Sequence, residues 1–433
     1  MRRDLFSVLR QFTGRSLTLM CVMSSLFFSA CEEKSAIKTS QLPQLLIAAN
    51  NLKSDAYSDL VVVAKDAKGK TVTAYTGTVR FTSTDPYSEF PASYTFTVKD
   101  AGTKKFPVKF KTAGNQTISI YDTRSTTQTL AKIEVTVGAG SPKNIVLTGH
   151  PVTTQAGISN TVLAAITDSF GNVVSDYVGT VAFASSDSSA VLPANYTFTL
   201  TDAGAHSFPI SFQAAGTQSF TVTDTADELL TNNQSGITVR AGVVQNFSVA
   251  SFPSSVGAGS SNTVTVTAKD AFGNIANDYT GTIHLSSSDP SAVLPSDYTF
   301  VEGDLGIKTF TINLRTSGAQ SIIAIDTVSS ATGGQVGIIV NPGTATILAL
   351  SGYPVSASAG TSSNFGVTAK DIYGNTATSY LGTVHFTSSD SIAVLPSNYT
   401  FVTGDAGVKS FSGTLKTSGL HSITVTDTVA GSM

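Results

Sequence analysis

The chain has 433 residues, of which 13% are charged, with 26 basic residues set against 29 acidic ones and only two cysteines. A net charge of −3 excludes the strongly basic face that nucleic acid requires. Two cysteines leave no disulfide framework, and the abundance of Thr, Ser, Gly and Val is the composition of exposed β-structure.

In chain order, Arg2, Arg3, Arg10 and Arg15 precede a run of apolar and small residues over 16–30, which is the pattern of a secretory signal peptide. The run is shorter than the roughly 20 residues a membrane-crossing helix needs. Phe28-Ser29-Ala30-Cys31 then resembles the lipobox of bacterial lipoproteins, although Phe28 stands where Leu is usual. That resemblance implies diacylglycerol on Cys31, cleavage before it, and anchoring in a membrane through acyl chains. Cys21 leaves with the signal, and loss of residues 1–30 makes the mature charge −6. Residues 31–42 form a polar tether.

From residue 43 onward the chain is one unit used four times. The string Ser-Ser-Asp-x-x-Ala-Val-Leu-Pro-x-x-Tyr-Thr-Phe begins at Ser185, Ser287 and Ser388, with a degenerate copy from Ser83. Asp66, Asp168, Asp270 and Asp371 lie 102, 102 and 101 residues apart, as do Gly114, Gly216, Gly318 and Gly419. This period exceeds that of solenoid repeats, which run to a few tens of residues, and equals the size of a β-sandwich domain. The expected domains are 43–140, 141–242, 243–343 and 344–433.

The third copy shows the strand pattern. Residues 262–269 alternate, with Val264, Val266 and Ala268 facing a core. The segment Asp270-Ala-Phe-Gly-Asn274 reads as a turn. Strands are expected at 245–250, 281–287 (Ile283 and Leu285 inward), 298–301, 308–314 (Phe310, Ile312 and Leu314 inward), 320–325 and 336–340. About seven short strands in about a hundred residues read as an immunoglobulin-like sandwich. The fold class is therefore all-β, a tandem array of four immunoglobulin-like β-sandwiches. The joints, such as Arg240-Ala-Gly-Val243 and Asn341-Pro-Gly-Thr344, are short enough to restrict bending. In the fourth copy only six residues follow Asp427, so its last strand is expected to be missing. The sequence reads there as a truncated frame or a fragment of a longer array, with strand donation by another chain as the alternative.

Together, Asp270-Ala-Phe-Gly-Asn, Tyr279-Thr-Gly-Thr and the Ser287 string make the repeat similar to the bacterial immunoglobulin-like domains of surface proteins, including the invasin and intimin group. The resemblance covers about 390 residues and implies a stalk or adhesive module on a bacterial surface. The membrane barrel and lectin-like tip of invasin-like proteins have no counterpart here, so receptor binding does not carry over. Copy one departs in having Lys68-Gly-Lys70 where the others have Gly-Asn.

Chemistry is sparse. The recurring aspartates, which in copy two are Asp168, Asp187, Asp202 and Asp224, are weak candidates for Ca²⁺, which takes about six to eight oxygens. The competing expectation is that each caps its own turn. His150, His206, His284, His385 and His421 are expected at the surface. The recurring tyrosines (Tyr75, Tyr177, Tyr279 and Tyr380; Tyr94, Tyr196, Tyr298 and Tyr399) are expected in cores or strand corners rather than stacked on sugars. No cofactor, catalytic residue or phosphate loop is apparent, so the chain is not expected to be an enzyme. The expectation is a lipid-anchored envelope stalk or adhesin-type protein with a protein or glycan partner at the surface. The alternatives are a calcium- or glycan-binding module, or the front part of a larger surface enzyme or adhesin.

Overall fold

A computed structural model describes residues 43–49, 52–123 and 129–431. Cys31 and the residues expected to form the signal and the tether lie outside the described residues. Among the described residues no helix is long and apolar enough to cross a membrane.

Each copy of the repeat builds its own sandwich around its own apolar cluster. In unit two, one sheet has the order Ala205–Ser211, Ser159–Thr167, Asn144–Thr148. The other runs Tyr196–Thr197, Thr180–Ser185, Gly216–Asp224, Thr231–Arg240, Thr153–Gln155. All these neighbours are antiparallel except the last pair, which is parallel. Alternation fills the space between the sheets: in unit three Val264, Val266, Ala268 and Ile312 are fully buried. Each such Val or Ile contributes about 1.5–3 kcal/mol relative to exposure.

The strands expected in the third copy are present as Asn246–Ala250, Ser261–Lys269, Thr282–Ser287, Tyr298–Thr299, Ile307–Asn313, Gly318–Asp326 and Thr332–Asn341. Every inward residue named from the alternation is buried. Two elements were not expected. Ser255–Gly257 forms a short strand parallel to the last one, and Glu302–Asp304 forms one 3₁₀ turn. Neither is long enough to show a period.

Unit four has two three-stranded sheets: Ile347–Ser351, Ser362–Lys370, Val408–Thr414, and Tyr399–Thr400, Thr383–Ser388, Ile423–Asp427. Among the described residues no strand pairs with the free side of Ile423–Asp427.

Three histidine expectations need correction, the first being His206, which is half-buried against Tyr196 and Asp202. His150 is buried, at 6% exposure, because it takes the core position that Phe252 holds in unit three. There it packs against Phe212 and Phe220 with ring centroids 5.7 and 5.3 Å away. His421 is half-buried and takes the place of Gln218 and Gln320 in the sister units.

Candidate functional site at the joints

The recurring string, two of the four aspartates named in copy two (Asp168 and Asp187) and the short linkers converge at the joints between successive units. The string first fixes a loop. In unit two the Asp187 carboxylate accepts the backbone N–H groups of Gln213 (2.7 Å) and Ala214 (2.9 Å) through one oxygen and that of Ser189 (2.8 Å) through the other. Ser186 Oγ accepts the Ser219 N–H and donates to the Gln218 side chain. Asp85, Asp289 and Asp390 hold the loops at Lys111, Arg315 and Lys416 in the same way.

The next unit then docks on that loop through its Asp-x-x-Gly-Asn turn. Asn172 of unit two accepts the Ala113 N–H of unit one (3.0 Å) and donates to the Lys111 carbonyl (2.8 Å). Asn274 makes the same pair with Ala215 (2.9 Å) and Gln213 (2.7 Å), and Asn375 with Ser317 (2.8 Å) and Arg315 (2.7 Å).

The aspartate that opens the turn holds the linker. Asp168 accepts the N–H groups of Phe170 and Asn172 on one oxygen, and those of Gly140 and the Asn172 side chain on the other. The Ser54 hydroxyl of unit one donates to it as well. Gly242 and Gly343 donate equivalently to Asp270 and Asp371 at 2.7 and 2.8 Å.

The aromatic inside the turn completes the contact. Phe170 lies beneath the Lys109 and Lys111 ammonium groups, each 5.7 Å from its ring. Phe272 meets Gly157, and Tyr373 meets Gly259 with Arg315 at 5.3 Å over its ring. In each case a polar turn and an aromatic of one unit are set against the loops of the unit before it.

These partners set the electrostatics. Burial alone would raise the Asp168 pKa, but hydrogen bonds from Asn172, Ser54 and Gly140 more than offset it and bring it down to about 2. Asp187, Asp270, Asp289 and Asp371 are lowered for the same reason, with burial again opposed by donated bonds. Unit one's turn also closes on Asp66, which accepts the N–H groups of Lys68 and Lys70. Those lysines stand where the later turns carry the aromatic and the asparagine.

The other two aspartates of the calcium expectation lie in separate networks. Asp202 accepts Thr199 N–H (2.7 Å), the Tyr196 hydroxyl and a His206 ring nitrogen (2.9 Å). Its pKa falls, with the Thr199 N–H as the largest cause. His206, stacked on Tyr196 with centroids 4.1 Å apart, takes the place of Lys308 and Lys409, whose ammonium groups pair with Asp304 and Asp405. Asp224 accepts the Tyr177 hydroxyl and the N–H groups of Ala226 and Asp227. Among the described residues no three His, Cys, Asp or Glu side chains converge to hold a metal.

Sequence reasoning found the turn motif but not its partner. The usable signal was the coincidence of two departures in copy one, Lys70 for Asn and Lys68 for the aromatic, in the copy whose turn meets no preceding described unit.

No family model matches the chain, and no curated protein matches it. Solved structures do. The Escherichia coli adhesin FdeC is similar at 18% identity over 69% of this chain and 96% of that one, with a TM-score of 0.41. Invasin, a bacterial integrin-binding protein, is similar at 14% identity over 90% of this chain and 78% of that one, with a TM-score of 0.30. The S-layer protein SbsC is similar at 18% identity over 90% of this chain and 49% of that one, with a TM-score of 0.23.

Proposed function

We propose that the chain is an exported stalk of the bacterial cell envelope, tethered by acyl chains on Cys31, whose joined sandwiches carry a binding surface away from the membrane. The observation that carries this reading is the joint. The same Asn, Asp, linker-Gly and aromatic contacts recur at all three junctions, which is what an array needs to transmit reach and load rather than flex. At about 3.3 Å per residue a nine-residue strand spans roughly 30 Å, so four units end to end extend on the order of 120 Å.

Two measurements test the reading. Small-angle scattering of residues 31–433 is expected to give a maximum dimension of at least about 110 Å, by the same strand arithmetic, and a compact particle of half that length sinks the stalk. For the anchor, the intact mass of the mature protein from its native cell is expected to show acylation at Cys31. A Cys31→Ser chain is expected to leave the membrane fraction, and one that stays there sinks the lipid tether.

A further inference from the structure

The joints fix where tension enters and leaves a unit. In unit two Asp168 holds the incoming linker at Gly140, and Asp270 holds the outgoing linker at Gly242. These lie at opposite poles, since the Asp168 turn meets unit one and the loop at residues 213–215 meets unit three. The outgoing linker follows directly on the last strand, Thr231–Arg240. From the incoming linker the chain runs through Asn144–Thr148 into Thr153–Gln155, which lies beside the last strand and parallel to it.

Direction decides how the bonds of this pair share a load. Two parallel strands pulled from opposite ends slide along each other, so all the bonds between them are strained together. An antiparallel hairpin opened at its free ends loses its bonds one at a time. The other strand pairs of unit two are antiparallel, so the parallel pair stands out in being the one that joins the two linkers.

The zone is built alike in successive units. In unit two Thr238 donates its N–H to the Val152 carbonyl (2.9 Å) and Ala156 to the Arg240 carbonyl (2.8 Å). The Gln155 side chain adds a bond to the Ala241 carbonyl at 3.0 Å, in the linker itself. In unit three Ile339 donates to Ser254 (2.9 Å) and Ala258 to Asn341 (2.8 Å), and the added side-chain bond comes from the other strand, Asn341 to Ser255 Oγ at 2.8 Å. Unit one has a parallel bridge at the same place, where Gly138 donates to Leu52 and Ser54 donates to Gly138, both at 2.8 Å. Ala156, Val239, Val256 and Val340 are buried and close the core side of the zone, so water can replace its bonds only from outside.

We infer that this parallel zone is a mechanical clamp. Under tension along the array, sliding of Thr153–Gln155 against Thr231–Arg240, and of Ser255–Gly257 against Thr332–Asn341, is the step that limits unfolding of units two and three. Forced unfolding follows the unfolding rate rather than the equilibrium stability, so the clamp shows in rupture force and not in melting temperature. The use of such a clamp rests on the stalk reading; the direction dependence of the force does not.

The test loads unit two within residues 31–433 carrying Cys31→Ser, using optical tweezers with handles on pairs of introduced cysteines. Ser141→Cys with Val243→Cys grips the two linkers and slides the zone. Ile158→Cys with Val243→Cys grips one pole only, because the neighbouring Ala156 bonds Arg240, and peels the zone from its end. All three positions are exposed. Sliding is expected to need more than double the force of peeling, although both geometries load the same folded unit. Thr238→Pro removes the N–H that bonds Val152 and is expected to bring the sliding force down towards the peeling force. Equal forces in the two geometries overturn the inference, and so does a sliding force that a folded Thr238→Pro chain leaves unchanged. If that chain does not fold, the two geometries of the parent decide alone. A compact particle in scattering sinks the stalk and leaves these forces as they are, whereas equal forces sink the clamp and leave the reach of the array intact.

Discussion

Ala113 donates its N–H to the Asn172 side-chain oxygen at 3.0 Å, joining residues 59 positions apart in successive units. The same amide returns a bond to the Lys111 carbonyl at 2.8 Å. One asparagine therefore reads both polar groups of a loop that Asp85 has already ordered from the opposite side. Two different units each commit a carboxylate to organising the joint: Asp85 for the loop, Asp168 for the linker.

The first prediction isolates the joint from the units. Asn274→Ala removes the bonds to Ala215 and Gln213, together with one to Asp270 inside its own turn, without touching either core. Each such bond is worth about 0.5–1.5 kcal/mol. The melting transition is expected to shift little, while the distance distribution between spin labels placed in units two and three broadens. An unchanged distribution would mean the asparagine does not set the joint.

Asp289→Ala is expected to act on both levels. Asp289 is 3% exposed and accepts three backbone N–H groups, from Arg315, Thr316 and Ser291. Orphaning buried donors costs about 1–3 kcal/mol each. Urea unfolding is expected to show unit three destabilised by at least about 2 kcal/mol on that basis, with the joint to unit four loosened as well. The Asp289→Asn variant, equal in size but presenting an amide, is expected to recover only part of the loss.

Most of each unit could be read directly from alternation, because a strand with one face in a core repeats every two residues and Val264, Val266 and Ala268 do so. The joint could not. Asn172 and Lys111 are 61 residues apart, and no local period links a turn to a loop of the preceding domain. Nor could the fate of His150 be read, since only its alignment with Phe252 marks it as a core position. The Tyr-x-Gly-Thr motif was visible, but the reason for its glycine was not.

That reason gives the third prediction. Tyr177 folds back over Gly179 so that its hydroxyl reaches Asp224, and a Cβ on Gly179 would collide with the tyrosine ring and with the Asp224 carboxylate. Gly179→Ala is expected to destabilise unit two more than Tyr177→Phe does. The latter leaves the ring in place and removes one bond to a buried carboxylate, a loss of about 1.5–3 kcal/mol. Thermal melts of the two variants decide the order, and a milder Gly179→Ala would contradict the packing.

Calcium tests the aspartates separately. The oxygens of Asp168 and Asp187 are occupied by N–H donors, whose positive ends would face any cation. A ligand that binds only the folded state raises its stability. Millimolar Ca²⁺ is therefore expected to leave the melting temperature unchanged, and a rise of several degrees would require these donors to be displaced.

The last prediction concerns pH. Asp168 has a folded pKa of about 2 against an ordinary 3.8, and Asp187, Asp270, Asp289 and Asp371 are lowered too. A carboxyl with a depressed folded pKa stabilises the fold above its unfolded value, and that contribution is lost as pH falls toward the folded one. The array is thus expected to lose stability between about pH 4 and pH 2, with joints and units weakening together because the same carboxylates hold both. Burial and the Asp224 carboxylate raise the Tyr177 pKa above its ordinary 10.0, and Tyr279 and Tyr380 behave alike. Their contribution is complete below about pH 10 and disappears above it. His150, lowered from 6.5 by burial, adds a component confined to unit two that is lost as pH falls below that value. Melting curves from pH 2 to 11 are expected to trace a broad plateau with these two edges. A His150→Phe chain, carrying the aromatic that unit three has at this position, is expected to flatten the shoulder near pH 6 while leaving the acid edge in place. An acid edge that moved with this substitution would assign the loss to the histidine instead of the carboxylates.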